Sequence, residues 1–190
     1  MIQQDGKWKQ QIITIPNLLS LFRLCLIPVC VWLYCAKKDY VLTTLVLILS
    51  GLTDVVDGFI ARRFNMISDV GKVLDPIADK LTQGVMLICL VTRYQRMLIP
   101  LLMMIAKELF AGISGFLVIR KTKMVHGADW HGKAATVALY LMMIVHLLWV
   151  NIPISASSLL IGICTAAIAL SFILYGLRNI RLILQSTQHV

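Results

Sequence analysis

The chain has 190 residues, of which 59% are hydrophobic and 14% are charged, and its mean hydropathy is +0.84. About a quarter of the residues of an average soluble domain are charged, so this composition excludes a soluble globular protein and predicts an all-α integral membrane bundle. The net charge of +9 does not indicate a nucleic-acid partner, because the basic residues are distributed between apolar segments in the way that membrane topology requires.

Residues 1–16 are the first predicted element, a short amphipathic helix that lies in the membrane interface. This segment mixes lysines and glutamines with isoleucines, and Trp8 is expected at headgroup depth. Pro16 is expected to end it. Asn17 then supplies a side-chain oxygen where the first crossing helix begins.

Six apolar segments follow in residues 17–190, each close to the about 20 residues that a helix needs to cross a bilayer. They are predicted at 18–36, 40–61, 75–93, 97–119, 134–150 and 154–177. Short loops join them, except for the basic stretch between Arg120 and Lys133, so a single domain covering residues 1–190 is expected.

The basic residues also predict the orientation of the bundle. When alternate loops are assigned to opposite sides, most Lys and Arg residues fall on the side that holds both termini. By the positive-inside rule this side is cytoplasmic, in a cell (inner) membrane, and its basic face is expected to contact anionic membrane lipids.

The most informative stretch contains two pairs of aspartates, Asp54 with Asp57 and Asp75 with Asp79. Their spacings of three and four residues place each pair on one face of its own helix. The first acid pair (Asp54 and Asp57) ends the second segment. The second acid pair (Asp75 and Asp79) begins the third, where Asp75-Pro76 is typical of a helix start, so all four acids are expected at one depth. Four carboxylates at close range repel one another, and divalent metal ions are the simplest cations to compensate them.

These acids belong to a longer pattern, which reads Asp54-x2-Asp57-Gly58-x2-Ala61-Arg62-x8-Gly71-x3-Asp75-x3-Asp79. At every fixed position this pattern resembles the signature of the CDP-alcohol phosphotransferase family. The stretch Ile15-Pro16-Asn17-Leu18-Leu19-Ser20, with Arg23 and Pro28, resembles the amino-terminal segment of the family. The resemblance implies transfer of a phosphatidyl or similar group from a CDP-linked donor to an alcohol, with release of CMP, and a homodimer.

The same resemblance implies a role for each matching residue. Mg²⁺ or Mn²⁺, as two ions, is expected to bind Asp54, Asp57, Asp75 and Asp79, and Asp79 is also expected to be the general base. The cytidine nucleotide of CDP-diacylglycerol is expected to bind Asn17, Gly58, Arg62 and Ser68.

The acceptor alcohol is expected to bind at basic residues outside this pattern. An anionic alcohol would suit Lys107, Arg120, Lys133 and Arg178, although an arginine at a helix end also serves as an interfacial anchor. Ala106-Lys107-Glu108 and Trp130-His131-Gly132-Lys133 resemble family members that use glycerol 3-phosphate, which is therefore the expected acceptor. Phosphatidylglycerol and inositol phosphate stay open as acceptors.

A cation transporter is the alternative function from another class. The sequence disfavours it, because all four acids lie at the same cytoplasmic end of their helices and no second acidic binding position appears deeper along a transport pathway.

Overall fold

The computed structural model describes residues 15–63, 69–122 and 130–188, and the elements within these ranges are helical. Six α-helices are present there: α1 (Ile15–Trp32), α2 (Tyr40–Arg63), α3 (Asp69–Val91), α4 (Leu98–Thr122), α5 (Trp130–Leu148) and α6 (Ile154–Gln188). A π-helical turn at Leu33–Lys37 continues α1, and a 3-10 turn at Gln95–Met97 precedes α4. The all-α fold predicted from composition is confirmed.

Five of these helical stretches are long and apolar enough to cross a membrane. They are Asn17–Lys37, Tyr40–Ile60, Gln95–Gly115, Trp130–Leu148 and Ile154–Ile180. The first half of α3 carries Asp75, Asp79 and Lys80, so this helix is less apolar than the others. An integral membrane bundle is confirmed, whereas the crossing predicted at 75–93 stays a prediction.

Two helix boundaries predicted at prolines, the end of the interfacial helix at Pro16 and the start of the third segment at Asp75-Pro76, are wrong. Helix α3 begins at Asp69, so Asp75 and Pro76 lie inside it instead of forming its first turn. Helix α1 begins at Ile15, so Pro16 opens this helix and does not end the preceding one. In the first turn of a helix a proline fixes φ near the helical value and lacks only an N–H that the helix does not need there, which accounts for the position of Pro16. The rest of the predicted interfacial helix, residues 1–14, lies outside the described residues.

Helix α6 is longer than the predicted segment 154–177, because it continues to Gln188. At about 1.5 Å per residue its 35 residues extend about 52 Å, whereas the hydrocarbon core is about 30 Å thick. The C-terminal part of α6 therefore has the length to continue beyond the hydrocarbon core.

Residue contacts divide the chain into two compact units, Met1–Cys89 and Leu90–Val190. In the first unit α1 packs along α2, and the connection between them turns at Lys38, whose φ of 53° is left-handed and whose N–H donates to the carbonyl of Leu33. In the second unit α6 packs against both α4 and α5. The expectation of a single domain over residues 1–190 stays a prediction.

Candidate functional site

One face of α1 carries three buried polar side chains. Asn17, Ser20 and Arg23 follow one another at intervals of three residues and are 2%, 0% and 0% exposed. Polar side chains inside apolar helices are costly unless they find partners. The partners of Ser20 and Arg23 are the two acid pairs.

Arg23 bridges the first acid pair. Its Nη1 lies 2.6 Å from Oδ1 of Asp54, and its Nη2 donates to Oδ2 of Asp57. Asp57 is buried with Arg23, whereas the Asp54 side chain is 42% exposed. The guanidinium fork suits this arrangement, because it presents several N–H groups in one plane to two carboxylates.

The second acid pair is bound from two helices. The hydroxyl of Ser20 on α1 donates to Oδ1 of Asp75. Within α3, Nε2 of Gln83 donates to Oδ2 of Asp79 at 2.8 Å, and Nζ of Lys80 lies 3.6 Å from the same oxygen. Gln83 is 1% exposed, so the side chain that orients Asp79 is itself held by packing.

The two acid pairs form one electrostatic cluster. Asp54 experiences the charges of Asp75 and Asp79, and Asp57 experiences that of Asp75. Carboxylate oxygens are the ligands that Mg²⁺ and Mn²⁺ prefer, so the donor chemistry fits a divalent ion. Within the described ranges, no three Asp, Glu, His or Cys side chains form a group that could hold a metal. The carboxylates are instead bonded to side chains of α1 and α3.

The residues predicted to bind the nucleotide are described only in part. Asn17 lies on the same face of α1 as Arg23, and Gly58 follows Asp57 on α2. Arg62 belongs to the last turn of α2, but its side chain lies outside the described residues, and so does the whole of Ser68. The nucleotide-binding role of these four residues stays a prediction.

Two of the four predicted acceptor residues meet in the second unit. Nζ of Lys107 lies 5.9 Å from the ring centroid of Tyr175, and Cζ of Arg178 lies 4.9 Å from it. Lys133 is exposed on α5. Arg120 is in the last turn of α4, and its side chain lies outside the described residues.

The sequence analysis did not assign Ser20, Arg23, Gln83 or Tyr175 to the site. For Ser20 and Arg23 the available signal was their three-residue spacing from each other and from Asn17, which places all three on one face of α1. For Gln83 it was the four-residue spacing from Asp79. Tyr175 carries no charge, and only its three-residue spacing from Arg178 pointed to it.

A comparison with protein families identifies the family that the chain resembles. The model of the CDP-alcohol phosphatidyltransferase family matches residues 13–175. This range contains the buried polar face of α1 and both acid pairs, and it ends at Tyr175.

Individual curated proteins are also similar to the chain. It is 36% identical over 113 residues to the CDP-diacylglycerol--glycerol-3-phosphate 3-phosphatidyltransferase of Rickettsia bellii, an alignment covering 58% of this chain and 62% of that protein. The protein of the same name from Salmonella choleraesuis is 30% identical over 140 residues, which cover 71% of this chain and 76% of the relative. The cardiolipin synthase (CMP-forming) of Streptomyces coelicolor is 34% identical over 143 residues, covering 71% and 65%.

The chain thus covers less than two thirds of the length of the rickettsial relative. The family match, in contrast, includes every residue of the acid signature and most of the helical bundle. On the strength of that match and of the Salmonella relative, the chain belongs to the CDP-alcohol phosphatidyltransferase family.

Proposed function

We propose that the protein transfers a phosphatidyl group from CDP-diacylglycerol to a hydroxyl of glycerol 3-phosphate and releases CMP. The observation that carries this proposal is the attachment of both acid pairs to one buried polar face of α1, through Arg23 and Ser20. Carboxylates within apolar helices are costly and mark functional sites. The names of the rickettsial and Salmonella relatives support glycerol 3-phosphate as the acceptor.

Both acid pairs are proposed to hold Mg²⁺ or Mn²⁺, through Asp54, Asp57, Asp75 and Asp79. When bound, the ions neutralise the pyrophosphate of the donor and the charge that develops on the departing CMP. Asp54 experiences the negative charges of Asp75 and Asp79, and Asp57 experiences those of Asp54 and Asp75. This mutual repulsion favours the uptake of cations.

Asp79 is proposed to accept the proton of the attacking hydroxyl, as a general base. Gln83 orients it by donating to Oδ2 at 2.8 Å. The hydroxyl oxygen forms a bond to the phosphorus that carries diacylglycerol, and the bond from this phosphorus to the oxygen of CMP breaks. CMP leaves with the electron pair, and the phosphorus is inverted in one displacement.

The remaining predicted residues bind the two substrates in this proposal. The nucleotide is assigned to Asn17, Gly58, Arg62 and Ser68, and the acceptor phosphate is assigned to Lys107, Arg120, Lys133 and Arg178. The burial of Lys107, which is 7% exposed, supports a specific role, because a lysine that served only as an interfacial anchor would extend its ammonium group to water.

The proposal also includes the orientation and the assembly of the protein. Both termini and the acid pairs are proposed to face the cytoplasm, because Lys and Arg are concentrated in the loops on that side. A homodimer is proposed from the resemblance to the family. An inverted topology in a cysteine-accessibility experiment would contradict the proposed orientation. A monomer that retains full activity in a lipid nanodisc would contradict the proposed homodimer.

Phosphatidylglycerol is the second candidate acceptor, because the Streptomyces relative is a cardiolipin synthase (CMP-forming). The two candidates share the donor half of the reaction and differ only in the alcohol.

Incubation of the purified protein with CDP-diacylglycerol, Mg²⁺ and a panel of alcohols, followed by mass spectrometry of the lipids, distinguishes the two acceptors. The panel contains glycerol 3-phosphate, phosphatidylglycerol, inositol phosphate and serine. Phosphatidylglycerol phosphate is the expected product, and equal CMP release with and without any alcohol would overturn the proposal.

A further inference from the structure

A groove of about 570 Å³ runs between α4 and α6 in the second unit. Arg96 and Ile99 line it on the side of α4, and residues between Ser158 and Ala169 line it on the side of α6. The α6 residues recur every three or four positions, which places them on one face of that helix. A Cβ at Gly162, which also lines the groove, would meet no atom of another helix within 4 Å. Clefts that bind small molecules have volumes of about 300–1,000 Å³, so the groove has room for a ligand.

The groove is polar at one end and apolar along the rest of its length. At the polar end Nη1 of Arg96 donates to Oγ of Ser158, whose hydroxyl donates in turn to the carbonyl of Ile154 at 2.7 Å. The other hydroxyl in the groove wall belongs to Thr165, and it donates to the carbonyl of Ile161 at 2.7 Å. The Thr165 hydroxyl is thus satisfied within α6, and the wall beyond Ser158 suits an apolar chain.

The polar end of the groove lies at the membrane surface. Arg96 is at the start of the candidate membrane span Gln95–Gly115. Trp149, in the connection that leads into α6, is 51% exposed, and tryptophan is enriched at the membrane–water interface. At about 1.5 Å per residue, the stretch of α6 from Ser158 to Ala169 is about 16 Å long, which is close to half of the about 30 Å of a hydrocarbon core. The groove therefore has the depth of one lipid leaflet.

No acidic side chain compensates the charge of Arg96 within the described part of the second unit. The side-chain partner of its guanidinium is the neutral hydroxyl of Ser158. Glu108 is the only acid among the described residues of this unit, and it is about 18 Å further along the helix at about 1.5 Å per residue. A guanidinium has five N–H donors in a planar fork that fits phosphate oxygens. The polar end of the groove is therefore complementary to a phosphate group.

We propose that this groove binds one anionic phospholipid, with its phosphate at Arg96 and one acyl chain along the apolar wall of α6. A free phosphate would leave the apolar wall uncovered, and a neutral lipid would leave the charge of Arg96 uncompensated. The inference is independent of the proposed transfer reaction, because the residues assigned to the donor, the metal ions and the acceptor do not line the groove.

The headgroup contact is tested by the binding of phosphatidylserine and phosphatidylcholine to the complete, delipidated protein, measured by native mass spectrometry. The wild type is expected to bind phosphatidylserine about fivefold more tightly, equivalent to about 1 kcal/mol. R96Q is expected to lose this preference, whereas R96K retains a cation that binds phosphate and should keep most of it. K38Q is the matched control, because it removes one positive charge at an exposed lysine of the first unit. Its preference should equal that of the wild type.

The acyl-chain contact is tested by A166F. Ala166 is exposed and lines the groove, so a phenyl ring at this position occupies the space assigned to the chain. A166F is expected to raise Kd for both lipids about tenfold, since the apolar contact of the chain is lost. I163F is the matched control, because Ile163 is an exposed residue of the same helix that does not line the groove. It should bind both lipids as the wild type does.

Equal affinity of the wild type for the two lipids overturns the inference. A folded R96Q that keeps the preference also overturns it, because the anionic lipid then binds elsewhere, as does an A166F variant with the affinity of I163F. Displacement of phosphatidylserine by inorganic phosphate would exclude the acyl-chain contact. If A166F dissociates an oligomer that I163F leaves intact, the groove belongs to a second copy of the chain and the inference is wrong. Melting temperatures without lipid show which variants are folded, and R96Q with R96K provides the reading if A166F does not fold.

Discussion

Arg23 and Asp57 form an ion pair in which both side chains are almost completely buried, at 0% and 2% exposure. The same guanidinium reaches Asp54 at 2.6 Å, so one cation from α1 compensates part of the charge of the first acid pair on α2. Removing one partner of a buried pair leaves an uncompensated charge, which costs about 3–5 kcal/mol. The contact therefore links the stability of the first unit to its candidate metal site.

Replacing Arg23 with glutamine is expected to destabilise the protein. R23Q leaves Asp54 and Asp57 without their guanidinium, and the free energy of unfolding should fall by about 3 kcal/mol or more. Mg²⁺ or Mn²⁺ should raise the melting temperature of R23Q by more than it raises that of the wild type. In R23Q the bound cation compensates the negative charges of Asp54 and Asp57, which have lost the guanidinium. Thermal unfolding in detergent, with and without metal, measures both effects.

R63Q is the matched control for this experiment. Arg63 is exposed at the end of α2, and exposed charges contribute at most about 1 kcal/mol. If R23Q and R63Q melt at the same temperature, the buried ion pair does not stabilise the fold. If metal stabilises R23Q no more than the wild type, the first acid pair is not a cation site.

Replacing Asp79 with asparagine is expected to abolish most of the transfer activity. Asparagine retains the shape of the side chain but cannot take up a proton at neutral pH, and general-base catalysis contributes about 10²- to 10⁴-fold. CMP release under saturating CDP-diacylglycerol measures the effect. D39N is the control, because the Asp39 carboxylate accepts from the N–H of Leu42 at 2.9 Å, and asparagine caps a helix about as well as aspartate. A D79N protein that retained most of its rate would exclude Asp79 as the base.

Replacing Gln83 with methionine is expected to lower kcat about tenfold with little change in either KM. The amide of Gln83 holds Oδ2 of Asp79 at 2.8 Å, and a small displacement of a catalytic group reduces the rate substantially. Steady-state kinetics with each substrate varied in turn separate kcat from KM. Q95M, at an exposed glutamine, should behave as the wild type. A Q83M variant with wild-type kcat would show that Asp79 needs no orienting partner.

Replacing Ser157 with alanine is expected to destabilise the second unit. The carbonyl of Met142 can only accept, so Nδ1 of His146 donates to it at 2.8 Å, and Nε2 accepts from Oγ of Ser157 at 2.9 Å. His146 is 1% exposed, and a buried acceptor left without its donor costs about 1–3 kcal/mol. S155A, at an exposed serine of the same helix, should cost less than about 0.5 kcal/mol. Equal melting temperatures for the two variants would contradict this account of His146.

Part of the fold could be predicted because the bilayer acts on every residue of a crossing helix. Helix α2 begins at Tyr40 and ends at Arg63, close to the predicted 40–61, since apolar residues within the bilayer and charged residues at its surface mark both ends. At Pro16 and Pro76 the prediction was wrong. Inside a helix a proline lacks one N–H and its ring clashes with the carbonyl four residues earlier, which kinks the helix or breaks it. A proline therefore marks a local disturbance, and at Pro76 this disturbance did not coincide with the start of α3.

By itself the sequence determined the class of the protein, the position of its apolar helices and the acid signature, because hydrophobicity and helical spacing are local properties of the chain. Only the tertiary structure decided which side chains bind those acids. Arg23 is 31 residues from Asp54, and Ser20 is 55 residues from Asp75, so their contacts depend on how α1 packs in the first unit. The same holds for Lys107 and Tyr175, which lie on different helices of the second unit. Contacts between residues that are distant in the sequence depend on how the helices pack, and the residue pattern of a single helix does not predict them.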